Sequence, residues 1–372
     1  MTEPARALAL LGGAVLVLII LGDAIGTLIV TRARTARWRP TRVWYATTWR
    51  IARTTVARLP ARAGDFVLNV YPAMSLLGLL LIWLVGLGAG WTLVYWGLHE
   101  TIGGQGDWAT LAYFAGTSLL TPAFGVAHGQ GVRFLSLVET LSGLGTIALL
   151  ISYLPALYGA YSRREARLLT LDDPAGRRIS PQRVIAVHAV DQNLELYFRF
   201  CADWEMWTAE VLESHVSYPM LALFRSQHAG QSWITALGVV TDSALLACAA
   251  IVGADTREPY FLYRRGRRAV LDIADALHIP ETVDLNPPLR EQLAPAHAGL
   301  IQLGLPVRDL DETFARLLAL RESYGPRLQD LIDYTLAPHG FWGHSAEATV
   351  AEEVAAATAE ARLRARQGKR QP

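Results

Sequence analysis

Cysteine and lysine are nearly missing from this chain of 372 residues, and no acid stands between Asp23 and Asp65. Two cysteines, Cys201 and Cys248, are too few for a disulfide framework, which excludes the small stapled folds of secreted proteins. Lys369 is the only lysine, so arginine carries nearly all of the positive charge. The alternation of apolar and polar residues that marks a strand is scarce, so helices are expected throughout. The motifs of common chemistries are also missing. The chain has no Gly-rich phosphate loop, no nucleophile elbow, no kinase signature and no His-x-x-x-His zinc spacing. We therefore expect no catalytic residue, no metal, no cofactor and no enzyme activity. A formal net charge of +1 gives no sign of a nucleic-acid partner.

Apolar runs dominate what is present: 52% of the residues are hydrophobic and 18% are charged. Three runs exceed the ~20 residues needed to cross a hydrocarbon core. Residues 7–30 are apolar apart from Asp23. They read as a membrane anchor rather than a cleaved leader, because the run is long and ends at arginines rather than at a small-residue cleavage site. Residues 66–98 form the second run and 133–158 the third. Nine arginines lie between Arg32 and Arg62, and Arg163, Arg164 and Arg167 follow the third run. Both basic segments take the cytoplasmic side by the charge rule, so the protein is expected in the inner (plasma) membrane with a cytoplasmic C-terminus. Taken as a helix after Pro40, the stretch from Arg32 to Arg62 places Trp38, Tyr45, Trp49 and Val56 on one stripe beside Arg39, Arg42, Arg50 and Arg53. That pattern fits a helix in the membrane interface and equally an ordinary solvated basic segment.

Between the second and third runs stands Thr117-Ser-Leu-Leu-Thr-Pro-Ala-Phe-Gly125, entered by an amphipathic segment too short to span. Asp107 is placed to cap that segment by accepting from free backbone N–H groups. Non-helical backbone at membrane depth must line a water-filled cavity or be buried in protein. With its flanking runs this stretch resembles the pore module of the bacterial two-transmembrane potassium-channel family, whose filter reads Thr-x-Gly-Tyr/Phe-Gly. The match stands at Thr121, Phe124 and Gly125, with Ala123 where the family has glycine and Val126 where it usually has aspartate. The resemblance covers 66–164 and implies an outer helix over 66–98, a pore helix over 107–120, a filter over 121–125 and an inner helix over 133–160. It also implies a homotetramer passing potassium or other monovalent cations.

Carried over, Thr121 supplies a ring of hydroxyls and Pro122, Ala123 and Phe124 supply carbonyls, while Gly125 keeps a left-handed position. Ala123 takes the other left-handed position at ~1–2 kcal/mol per subunit, which predicts weak selectivity or a closed filter. Thr117, Ser118 and Glu139 are the expected supports behind it. Glu139 is expected to bond Thr117 or Ser118, or else to reach the outer interface. Gly145 falls where the family has its gating hinge, though Gly143 and Gly145 are also small enough for close helix packing. Pro155 is expected to bend the inner helix.

From residue 165 to 345 mixed amphipathic patterns predict a cytoplasmic helical domain that gates or assembles the pore. Residues 346–372 read as an Ala-rich tail. Residues 232–253 are apolar enough for a fourth span, but spanning would put Arg264, Arg265, Arg267 and Arg268 outside, so a central domain helix is expected. His215 and His228, with Glu210, Glu213 or Asp242, carry the chemistry of an acid–base or metal site. A buried hydrogen-bonded network is the expectation we adopt for them. A membrane-anchored scaffold that conducts nothing remains the alternative to a channel.

Overall fold

The computed structural model describes residues 2–29, 39–98, 107–121, 130–171, 180–189, 193–226, 232–281 and 290–338. The described residues are helical with short connections, and their one β-bridge joins Ile251 to Val307. The expected tail over 346–372 lies outside them. By its contacts the chain divides into Met1–Gly159 and Ala160–Pro372.

The first unit holds α1 (Glu3–Leu28), α2 (Pro40–Val56), α3 (Ala61–Gly97), α4 (Trp108–Ser118) and most of α5 (Gln130–Leu168), whose last turns belong to the second unit. α1, α3 and α5 are each long and apolar enough to cross a membrane. α1 runs antiparallel to α3, and glycines set how closely they approach. A Cβ on Gly13 would stand 2.6 Å from the Gly90 carbonyl oxygen, and one on Gly97 would stand 2.8 Å from Leu10 Cβ. Such small residues let apolar helices gain van der Waals contact where lipid offers no hydrophobic drive.

α2 lies along the first half of α3 as the second arm of a hairpin. Trp44 Nε1 donates to the Ser75 carbonyl at 2.9 Å, the Thr48 and Tyr71 hydroxyls are 2.9 Å apart, and Trp49 packs on Tyr71 with centroids at 5.0 Å. Val56 covers Gly64. Tyr45, Trp49 and Val56 of the expected stripe therefore face protein, where an interfacial helix would turn them to the headgroups, and Trp38 lies outside the described residues. Tyr71 and the groove at Gly64 and Gly78 offer the stripe a fitted apolar partner.

One buried carboxylate ties these three helices together. Asp23 Oδ2 accepts from Thr41 Oγ1 at 2.6 Å, from the Thr41 backbone N–H at 3.0 Å and from Trp83 Nε1 at 3.0 Å. Its Oδ1 accepts from Arg39 Nε at 3.1 Å. Four donors converge on the carboxylate, three on Oδ2 and one on Oδ1, which is what makes a buried charge tolerable.

The second unit holds α6 (Pro181–His188), α7 (Glu195–Ser217), α8 (Trp233–Ala250), α9 (Arg257–Ala276), α10 (Arg290–Gln302), α11 (Leu310–Arg321) and α12 (Gly325–Thr335). α8 is the fourth helix long and apolar enough to cross a membrane, but 83% of its span is buried by its own unit, against 33% for each of the other three. A helix apolar all round needs neighbours on every side, and α6, α9, α11 and α12 supply them. Of its buried polar residues, Asp242 and Ser243 have hydrogen-bond partners, and Thr241 Oγ1 has none among the described residues. Asp242 binds Arg321 Nε at 3.2 Å and accepts from the Tyr324 hydroxyl, while Ser243 pairs with Tyr197 at 3.0 Å. At Gly266 the backbone of α9 crosses so close that a Cβ would meet Thr241 Oγ1 at 2.0 Å.

Candidate functional site

α4 has 11 residues, about 16 Å of helix, too short for a ~30 Å hydrocarbon core. Asp107 caps it as expected, accepting from the Thr110 N–H at 3.1 Å and from the Thr110 hydroxyl. Those two bonds, the hydroxyl's first, hold the exposed Asp107 carboxyl below its usual range. The helix descends between α3 and α5. Trp108 meets Trp96 edge-on at 5.4 Å, and Phe114 meets Tyr95 edge-on at 5.2 Å. At the bottom Leu119, itself buried, enters a slot between two glycines: Cβ atoms on Gly88 and Gly143 would lie 3.4 Å and 2.7 Å from its methyl groups. The Leu119 carbonyl oxygen would be 2.2 Å from that Cβ on Gly143, so only glycine fits there.

Thr140 fastens the end of α4 from the other side. Its hydroxyl donates to the Ser118 carbonyl at 2.6 Å, one of the orphan acceptors of a helix C-terminus. Thr121 follows one turn later and is exposed, with its N–H bonded to the Thr117 carbonyl at 3.0 Å. Pro122, Ala123, Phe124 and Gly125 lie outside the described residues.

The expected supports act differently from expectation. Glu139 is fully buried, but its Oε2 accepts from the Tyr95 hydroxyl on α3 at 2.7 Å, not from Thr117 or Ser118. The Thr117 hydroxyl bonds back to the Tyr113 and Phe114 carbonyls of its own helix, at 2.9 Å and 3.0 Å. Neither Ser118 Oγ nor Glu139 Oε1 has a hydrogen-bond partner among the described residues. Glu139 sits antiparallel to Tyr95, and one turn on Trp91 Nε1 donates to Ser142 Oγ at 3.2 Å. Tyr95 and Trp91 were missed because a tyrosine and a tryptophan in an apolar run look like packing, and only the register of α3 on α5 turns them inward. The hinge candidate Gly145 and its neighbour Gly143 also part company. Gly143 is filled by Leu119, whereas a Cβ on Gly145 would meet nothing within 4 Å. Pro155 lies within α5 on an exposed face.

In the second unit His215, Glu210, Glu213 and Asp242 do not converge, His228 lies outside the described residues, and no metal-binding cluster occurs among those described. His215 instead serves Arg164. Its Nδ1 bonds the Val211 carbonyl at 2.8 Å, so Nε2 is free to accept from Arg164 Nη1 at 3.1 Å. Arg164 also donates to the Leu221 and Phe224 carbonyls and to Glu165. Burial first, and Arg164 second, push His215 well below the usual histidine range. His215 thus belongs to a buried network centred on Arg164, and Glu210, Glu213 and Asp242 are not part of it. Both cysteines are free, and burial raises both thiols, Cys248 to about 12, which leaves them unreactive.

Compared with protein-family models, with curated proteins and with solved structures, the chain matches none.

Proposed function

We propose that the protein is a homotetrameric membrane channel for potassium or other monovalent cations, built on a pore module like that of the two-transmembrane potassium channels. One observation carries the reading. A capped helix too short to span descends between two antiparallel helices long enough to span, and it ends at Ser118, three residues before Thr121. A helix wedged in this way delivers an irregular segment to membrane depth, and such a segment is tolerable where it lines water or is buried in protein. Phe134, Leu137, Leu141, Leu144, Ile151 and Tyr158 recur at steps of three, four and seven on one exposed face of α5. A seam of this kind supports packing against further copies, and a ring of filter carbonyls needs several chains about an axis.

In this reading the filter runs Thr121 to Gly125, the C-terminus is cytoplasmic, and the second unit gates or assembles the pore. The test is the reversal potential of the reconstituted protein under mixed potassium and sodium. The wild type is expected to conduct cations with little preference for potassium, and Ala123→Gly is expected to sharpen that preference by relieving a left-handed Cβ clash. Vesicles that pass no cation overturn the channel and favour a scaffold. Strong wild-type selectivity, unchanged by Ala123→Gly, overturns the strain at Ala123.

A further inference from the structure

α2 and the turn after it present a face that none of the described residues covers. Trp44, Thr48, Trp49 and Val56 hold one side of the helix on α3, and Arg39 and Thr41 hold its start on Asp23. The opposite side is therefore fixed in direction. It carries Arg42 and Arg50 on one helical row, with Val43 and Ile51 on the next, and Arg58 and Arg62 continue beyond the helix end. All four arginines are exposed, and none has an ion pair or side-chain hydrogen bond among the described residues. Val43 and Ile51 are 53% and 59% exposed. No acid lies anywhere between Asp23 and Asp65 to neutralise them.

A purely solvated face would have little reason to hold aliphatic side chains open between guanidinium groups. That mixture suits a boundary where hydrocarbon and phosphate lie side by side, with arginine stems along the apolar layer and guanidinium groups at the headgroups. The helix is also at the right height. α3 has 37 residues, about 55 Å, against a hydrocarbon core of ~30 Å. α2 accompanies the half that begins at Ala61, away from the α1 crossing at Gly90. Guanidinium groups bind phosphate by paired N–H donors, so an anionic phospholipid is the partner of matching charge and shape.

We propose that the outer face of α2, with Arg58 and Arg62, is a binding surface for anionic phospholipid headgroups of the adjoining leaflet. The site rests on the membrane location of α1 and α3 and is independent of whether the protein conducts ions. It predicts lipid selectivity beyond general immersion in a bilayer.

The test uses the full chain purified in neutral detergent, with phosphatidylglycerol or phosphatidylcholine added. Retained lipid is read by native mass spectrometry and unfolding by a thermal shift. The wild type should retain phosphatidylglycerol over phosphatidylcholine and be stabilised by it, and the preference should shrink as salt is raised. Replacing Arg42, Arg50, Arg58 and Arg62 by glutamine should remove the preference, at roughly fivefold in affinity per guanidinium near an anionic surface. Lysine at the same four positions should keep most of the charge-driven part. Arg42→Gln and Arg50→Gln made singly give the same reading should the fourfold variant fail to fold. Equal retention of the two lipids by the wild type overturns the proposal. So does a glutamine variant that keeps the preference, or binding of single-stranded RNA in place of lipid.

Discussion

His215 accepts a hydrogen bond from Arg164 through Nε2, so a second proton on its ring would face a guanidinium at 3.1 Å with no water to screen it. The folded protein therefore refuses a proton that the unfolded chain takes up below its ordinary pKa of about 6.5. Stability from this group is complete above that value and is lost as pH falls through the window beneath it, at up to ~1.4 kcal/mol per pH unit. Thermal unfolding of the wild type should drop between about pH 7 and pH 5 more steeply than that of His215→Gln, which has no proton to bind there. The variant itself should be less stable at neutral pH by about 1–3 kcal/mol, since Arg164 loses an acceptor in a buried network. Parallel pH profiles would show that His215 is not the group responsible. A histidine of this kind looks like a candidate acid or base in sequence, because the partner that decides its charge, Arg164, lies 51 positions away.

At the scale of helices, Gly143 and Gly145 make the sharpest contrast. In sequence they are two glycines a residue apart in an apolar run, and hinge and packing roles suit either. The fold separates them by one-third of a turn or more, which puts Gly143 under Leu119 and Gly145 beside open space. Gly143→Ala should cost about 1–3 kcal/mol by overpacking the slot, and it should shift the entry to the filter segment. Gly145→Ala should be neutral or slightly stabilising in helix terms. Detergent melts of both variants decide it, and equal effects would remove the slot as an explanation. The long apolar runs were legible because their length and composition alone predict helices. The ends of α4 were legible too, from Asp107 as a cap and from the polar residues that follow. Partner choice was not legible. Glu139 with Tyr95, Trp49 with Tyr71 and Leu119 with two glycines each depend on the register of one helix on another, and periodicity carries no record of that.

For the whole molecule, the exposed apolar seam of α5 makes oligomeric state the most direct observable. Crosslinking in mild detergent should give a ladder that stops at four copies. A chain that stays monomeric with α1–α5 intact would leave the seam to lipid and remove the channel. α8 teaches the opposite lesson. Its composition is that of a span, and only its enclosure by its own unit, 83% of the window, tells it apart from α1, α3 and α5.

The Asp23 carboxylate also has a consequence for how the protein is made. Its partners stand later in the chain: Arg39 is 16 residues on, Thr41 18 and Trp83 60. Synthesis runs from the N-terminus, so α1 is complete before any of them exists, and Trp83 comes only with the middle of α3. During that interval the helix carries an acid with no donor on it, which disfavours deep burial in hydrocarbon. α1 is thus held near the edge of the bilayer, or beside the insertion machinery, until α3 is delivered. Of the three helices joined at Asp23, the earliest made is the last to settle.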